Sequence, residues 1–257
     1  PSMSEQPVLT EIADGILTIT LNRPAAKNAA NKALAEGVAA AIDELENNPE
    51  LRVAILTGAG GTFCSGMDLK AFVTGELPIV EGRGFAGICE YMGKKPLIAA
   101  VEGYALAGGF EVAISCDLIV AAEDSKFGIP EVKRGLAAGA GGLAKLPKQI
   151  PSRIAKELAL TGDFISAQRA YDLGLVNQVV PSGTALQAAK ELAQKIAANG
   201  PLAVAASKQV VDQAQDWSND EMFAKQGVIV QPIFTSEDAI EGATAFAEKR
   251  APQWKGR

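Results

Sequence analysis

Short apolar runs that end in glycine-bearing turns and lead directly into helical periodicity recur through the first 130 residues. This order constrains the fold more than any other feature of the chain. Ile16-Leu17-Thr18-Ile19-Thr20-Leu21 alternates apolar and polar residues, fits a strand, and stops at the turn signal Asn22-Arg23-Pro24. Leu34, Val38, Ala41, Ile42 and Leu45 then recur at three- and four-residue steps. Asn31 is placed to cap that helix and Asn47-Asn48-Pro49 to end it. Val53-Ala54-Ile55-Leu56 follows as a buried strand running into Gly58-Ala59-Gly60-Gly61. The same order returns with Leu97-Ile98-Ala99-Ala100-Val101, Gly103, a helix from about Gly109 to Cys116, and the strand Leu118-Ile119-Val120-Ala121. Strands alternating with helices imply an α/β layer arrangement with parallel pairing.

Beyond Pro130 the pattern turns helical, with helices expected at 142–149, 151–160, 166–173, 184–198, 201–214 and 236–249 and one strand at Val176–Val180. Residues 74–87 carry Gly75, Pro78, Gly82 and Gly84 without a clear period and read as a loop. A chain of 257 residues can bury one core and carry an appendage. Helices with apolar stripes and no sheet to lie on pack on the body or on another subunit, so an oligomer is expected.

The chain has no histidine, which removes Ser-His-Asp and Cys-His nucleophile systems and most zinc sites. Acid and base work falls to carboxylates, Lys, Tyr or Cys. Hydrophobic residues make up 48% and charged residues 21%, and the net charge of −6 disfavours nucleic acid and anionic membranes as partners. No stretch approaches eighteen apolar residues, and no basic start precedes an apolar run, so neither membrane insertion nor secretion is expected. Cys64, Cys89 and Cys116 are odd in number and lack metal-like spacing, which points to core thiols in a reducing, cytoplasmic setting. Pro1-Ser2 ahead of Met3 is set aside as a cloning remnant. Lys249, Arg250, Lys255 and Arg257 crowd the tail, either as solvated helix-end charges or as a local patch for a polyphosphate.

Two glycine turns and two carboxylates carry the chemistry. Gly108-Gly109 follows a strand and opens a helix, where backbone N–H groups lack partners and can meet an anion; Ser65-Gly66-Met67 stands in a similar place. Glycine turns before helices are common packing devices, and either turn alone is read more readily as one. Glu111 falls in a first helical turn among Phe110, Val112, Ala113 and Ile114, and Pro130 places Glu131 in another first turn. Both acids are explicable as dipole partners. In partly apolar surroundings, however, two carboxylates can share a water and exchange protons near neutral pH.

Taken together and in order, several motifs resemble the crotonase superfamily of enoyl-CoA hydratases and isomerases. They are Leu21-Asn22-Arg23-Pro24 with Asn28, Phe63 to Leu69, Ala107 to Glu111 with Cys116-Asp117, Phe127 to Glu131, Gly141-Gly142, Leu160 to Asp163, Ala170 to Val176, and Phe246 to Arg250. The ending from Ser236 to Arg257 resembles the carnitinyl-CoA dehydratase relatives within that superfamily. The resemblance implies a crotonase-like ββα spiral over residues 3–198 and a C-terminal helical trimerisation region over 199–257. It also implies a homotrimer or dimer of trimers. The thioester oxygen is expected between the N–H groups of Met67 and Gly108, where a lost donor costs on the order of 3 kcal/mol of barrier. Glu111 and Glu131 are expected to hold the water, Glu131 protonating Cα while Glu111 orients or activates the water. Bent CoA is expected against Cys64, Ser65, Asp68 and Leu69, with Lys70 near its phosphates and Phe246 and Lys249 reaching it from the tail. CoA is part of the substrate; no separate cofactor and no metal are implied. Ala107 departs from a frequent glycine, and Ala137-Ala138 departs from a frequent proline after Gly135-Leu136.

The leading expectation is a hydro-lyase acting on a 2-enoyl-CoA thioester. Alternatives are a double-bond isomerase or carnitinyl-CoA-type dehydratase on the same fold, and a catalytically idle acyl-CoA-binding protein. Glu76, Glu81 and Glu90 are read either as partners of a cationic acyl group or as exposed loop acids.

Overall fold

The apolar runs of the sequence become strands of a central sheet in a computed structural model that describes residues 5–257. Pro1, Ser2 and Met3, with the cloning-remnant reading, lie outside the described residues. The chain enters through the hairpin β1 (Val8–Ala13) and β2 (Ile16–Leu21), then helix α1 (Lys32–Asn47) and strand β3 (Val53–Gly58). The Asn31 side chain accepts the Leu34 N–H at 2.9 Å, and Leu34, Val38, Ala41, Ile42 and Leu45 form the buried face of α1, as their spacing predicts. After the short helix α2 (Leu69–Val73) come β4 (Ile79–Val80) and β5 (Gly84–Phe85), an antiparallel pair inside the segment expected to be a loop. Two-residue strands joined by a turn with Gly82 at positive φ are too short to leave a period in the sequence.

Next come β6 (Leu97–Val101), β7 (Tyr104–Leu106), α3 (Gly108–Ile114), β8 (Leu118–Ala122) and β9 (Lys126–Gly128). Helices α4 (Gly142–Gln149) and α5 (Ser152–Thr161), strand β10 (Ile165–Ser166), helix α6 (Ala167–Asp172) and strand β11 (Gln178–Val180) follow. The six-stranded sheet has the order β1-β2-β3-β6-β8-β11; β1 is antiparallel to β2 and every other neighbour is parallel. A second sheet, β10-β9-β7, is built from strands of two or three residues.

Alternate residues of each strand feed two cores, because successive side chains point to opposite faces. Ala54 and Leu56 of β3, Ala99 and Val101 of β6, and Ile119 and Ala121 of β8 join the larger core with α1 and α3. Val53, Ile55, Ile98, Ala100 and Val120 face α7 (Ala185–Ala197) through Ala185, Ala189 and Ala193. Small residues on α7 let the helix lie close on the sheet.

The tail is α8 (Pro201–Ala214), α9 (Met222–Phe234) and α10 (Glu237–Glu248). Helix α9 was not expected: it contains Gly227 and Pro232, two residues that weaken a helical reading. Phe223, Val228, Phe234, Ile240 and Phe246 stand exposed on α9 and α10. The last residues are fastened to this region. Trp254 donates its indole N–H to Ala198 O at 2.8 Å, and buried Asp238 accepts the backbone N–H groups of Lys255 and Gly256 at 2.7 and 2.8 Å. No helix among the described residues is long and apolar enough to cross a membrane.

Candidate active site

The carboxyl ends of β3 and β6 deliver two glycine turns to one place. Residues after β3 are laid against residues after β6 by an isolated parallel bridge between Cys64 and Ala105, with Cys64 N–H donating to Tyr104 O and Leu106 N–H to Cys64 O. The turns touch at Gly66, where a Cβ would sit 3.1 Å from Ala107 Cβ and 3.4 Å from Gly108 N. Gly66 has φ +120°, so a side chain there would meet both a strained backbone and its neighbour. Met67 is bridged to Ala30 in a pattern that uses Gly66 O and Asp68 N–H but not the Met67 N–H. Among the described residues, neither the Met67 N–H nor the Gly108 N–H donates a hydrogen bond. Two donors without acceptors, brought together at a helix start, can hold an oxygen that gains negative charge.

Backbone conformation explains why the second turn needs small residues. Ala107 adopts φ 54° and ψ −126°, a region costly for a residue with a Cβ, at the position noted as frequently glycine. A Cβ on Gly109 would fall 2.0 Å from Cys64 O, and one on Gly108 would fall 2.5 Å from the Phe85 ring. The turn after β3 that leads to the segment around Met67 is held by Asn28. Its side chain, fully buried, accepts the Arg23 N–H at 2.8 Å and donates to Ala59 O and Thr62 O at 2.9 Å each. Arg23 in turn pairs with Asp68 at 2.9 Å.

Glu111 is buried in the first turn of α3. Its Oε2 accepts the Gly142 N–H at 2.9 Å. Burial pushes its carboxyl up to about 7; the N–H groups of Gly142 and Ala140 oppose the shift and the Glu131 charge adds to it. Glu131 lies on the 3₁₀ turn Pro130–Arg134, with Pro130 at its start as expected. Its Oε1 is buried and has no hydrogen-bond partner within the chain, and burial raises its carboxyl as well, against the pull of its own backbone and Arg134. Two carboxyls raised by burial in one site, one of them to about 7, are suited to giving and taking protons.

The remaining candidate residues differ in their surroundings. Cys64 is buried, with its thiol donating to Asn28 O and its own N–H and carbonyl engaged with β7 and its flank, so it acts as packing beneath the site. All three thiols are buried and pushed up, Cys64 to about 11 and Cys89 to about 12, which fits core residues. Ser65 is half-buried; Leu69 and Lys70 are exposed at the start of α2. The Asp68 carboxylate caps α2 by accepting from Lys70 N–H and Ala71 N–H, and Arg23 holds it low against the effect of burial. Phe246 is 88% exposed and Lys249, at φ 56°, ends α10. Gly142 and Asn28 carry supporting roles that the sequence reading did not assign. Gly141-Gly142 before a helix was the only signal for the first, and a buried Asn among turn residues leaves almost none for the second.

The family model described as enoyl-CoA hydratase/isomerase matches residues 11–257. A carnitinyl-CoA dehydratase of Salmonella typhi is 44% identical over 250 residues, covering 94% of this chain and 95% of that protein. Among solved structures, an enoyl-CoA hydratase from Mycobacterium tuberculosis H37Rv superposes with a TM-score of 0.97 at 61% identity, covering 98% of this chain and 100% of the other. A carnitinyl-CoA hydratase from Mycobacterium avium gives a TM-score of 0.79 at 43% identity with the same coverage.

Proposed function

The chain belongs to the enoyl-CoA hydratase/isomerase family, the crotonase superfamily, and from that premise we propose that it adds water reversibly to a 2-enoyl-CoA thioester. The observation that carries the reading is the pair Glu111 and Glu131, both raised by burial and Glu131 Oε1 unpartnered within the chain, in a chain that also leaves the Met67 and Gly108 N–H groups free. In the hydration direction the thioester oxygen accepts from the Met67 and Gly108 N–H groups, which favour the enolate over the ground state. Ionised Glu111 takes a proton from water as its oxygen bonds to Cβ. Protonated Glu131 gives its proton to Cα, and one water is consumed per 3-hydroxyacyl product. Glu111 then holds the proton that Glu131 lacks, and exchange through the site restores the pair.

CoA is bound along Ser65, Asp68, Leu69 and Lys70, with Phe246 and Lys249 contributing from a tail that packs in a trimer or a dimer of trimers. The exposed apolar residues of α9 and α10 supply a surface for that packing. Carnitinyl-CoA-type dehydration is the second reading, favoured by the 44% identity to the Salmonella typhi protein. Glu76 is poorly placed to serve a cationic acyl group, since its Oε1 accepts the Lys32 N–H at 3.2 Å on the exposed surface.

Initial hydration rates on a series of straight-chain enoyl-CoA esters, with crotonobetainyl-CoA included, test both readings. Water addition to the straight-chain series supports the hydratase; turnover confined to crotonobetainyl-CoA replaces it with the dehydratase. A moved double bond without hydration replaces both with an isomerase.

A further inference from the structure

A cavity lies at the opposite end of the sheet from Glu111. It has a volume of about 250 Å³ and sits where residues preceding β3 and β6 meet the junction of α7 with α8 and the C-terminal tail. Arg52, Lys94, Lys95 and Lys255 all line it. In a chain with net charge −6, four cations around one cavity are a local reversal of sign.

None of the four has an ion-pair partner among the described residues. The one carboxylate in the lining, Glu46, is occupied by backbone: Oε1 accepts from Lys94 N–H at 3.1 Å and Lys95 N–H at 3.2 Å. Lys95 Nζ is spent on Leu45 O and Asn48 O, at 2.7 and 2.8 Å. The Arg52 guanidinium, in contrast, donates no hydrogen bond within the chain; its Nη1 is buried, so its other nitrogens are the ones that can meet an acceptor in the cavity. A guanidinium edge without an acceptor is best met by a carboxylate, whose two oxygens match its planar fork. The first turn of α8 adds to the field, because Gly200 offers no side-chain cap, no acid stands in that turn, and Pro201 and Leu202 line the cavity. Leu51, Pro96, Ile196 and Val204 form an apolar wall behind the charges.

We infer that this cavity is a binding site for a small carboxylate with an apolar body, gripped by Arg52 and flanked by Lys94 and Lys255. The site is separate from the catalytic one: Arg52 and Pro96 precede the strands whose far ends deliver Met67 and Gly108. Its apolar wall distinguishes it from a site for an inorganic anion, which would leave that surface uncovered.

Calorimetric titration of the full chain with sodium hexanoate at constant ionic strength, with inorganic phosphate as a parallel arm, tests the inference. Saturable hexanoate binding is expected, weakened at least tenfold in Arg52→Met and also weakened in Lys255→Met, but unchanged in Glu131→Gln. Arg52→Met removes an unpartnered buried group and is expected to fold at least as stably as the wild type, and to retain the wild-type catalytic rate. Hexanoate affinity that survives Arg52→Met, or is lost in Glu131→Gln, places binding in the acyl pocket and overturns the inference. Phosphate binding without hexanoate binding overturns the carboxylate assignment, and absence of any binding overturns the site.

Discussion

The backbone N–H of Gly142 donates to Glu111 Oε2 at 2.9 Å, across 31 residues of sequence. This bond fixes one oxygen of a buried carboxylate and leaves the group poised near neutrality, because burial outweighs the hydrogen bonds that favour its charged form. A Cβ on Gly142 would come within 3.3 Å of the same oxygen, so glycine here keeps the approach open.

Replacing either carboxyl by an amide removes proton transfer while keeping shape. Glu111→Gln and Glu131→Gln are each expected to lower hydration turnover by about 100-fold to 10,000-fold and to spare CoA-ester binding. The double variant should be little worse than either single one, since the two act on one water. Near-wild-type turnover in either single variant removes the pair from the mechanism.

Stability should report the raised Glu111 carboxyl. Its ordinary value of 4.5 rises to about 7 in the folded chain, so its contribution is fully present below pH 4.5 and is lost as pH rises through about 7. The shift corresponds to roughly 3 kcal/mol at most. Urea unfolding of Glu111→Gln should vary less between pH 5 and pH 8 than that of the wild type, and the variant should be the more stable at pH 8. Parallel pH profiles would show that Glu111 titrates normally.

Gly108→Pro deletes a donor and should abolish turnover, whereas Met67→Ala should retain substantial activity because only the Met67 N–H is used. Gly108→Ala should also fail, since its Cβ would meet the Phe85 ring at 2.5 Å. Turnover in Gly108→Pro would exclude these donors. Circular dichroism separates loss of function from loss of fold.

Lys249→Ala is expected to raise the Michaelis constant for CoA thioesters roughly tenfold or more, the scale of a charge-assisted contact to phosphate at about 1.5–3 kcal/mol. Pantetheine thioesters, which lack the 3′-phosphate, should be much less affected. Equal losses on both would assign Lys249 to the fold. A monomer by sedimentation would overturn the proposed role for the exposed tail residues Phe223, Val228 and Phe246.

Much of the architecture was legible because the signals are local. The alternation in Ile16–Leu21, the stripe from Leu34 to Leu45, the Asn31 cap and the turn glycines each depend on a few neighbouring residues, and each appears where its period places it. So do the first-turn positions of Glu111 and Glu131, and the absence of histidine by itself confined the chemistry to other groups. What depends on contacts between distant segments was not legible. Strands of two or three residues such as β7 and β10 exist only because a partner strand holds them. The meeting of Gly66 with Gly108, the bond from Gly142 to Glu111 and the unpartnered Arg52 Nη1 are likewise products of packing. A carboxylate's pKa follows from its desolvation and its neighbours, and a donor's availability follows from which acceptors the fold places beside it; both are decided only when the chain closes on itself.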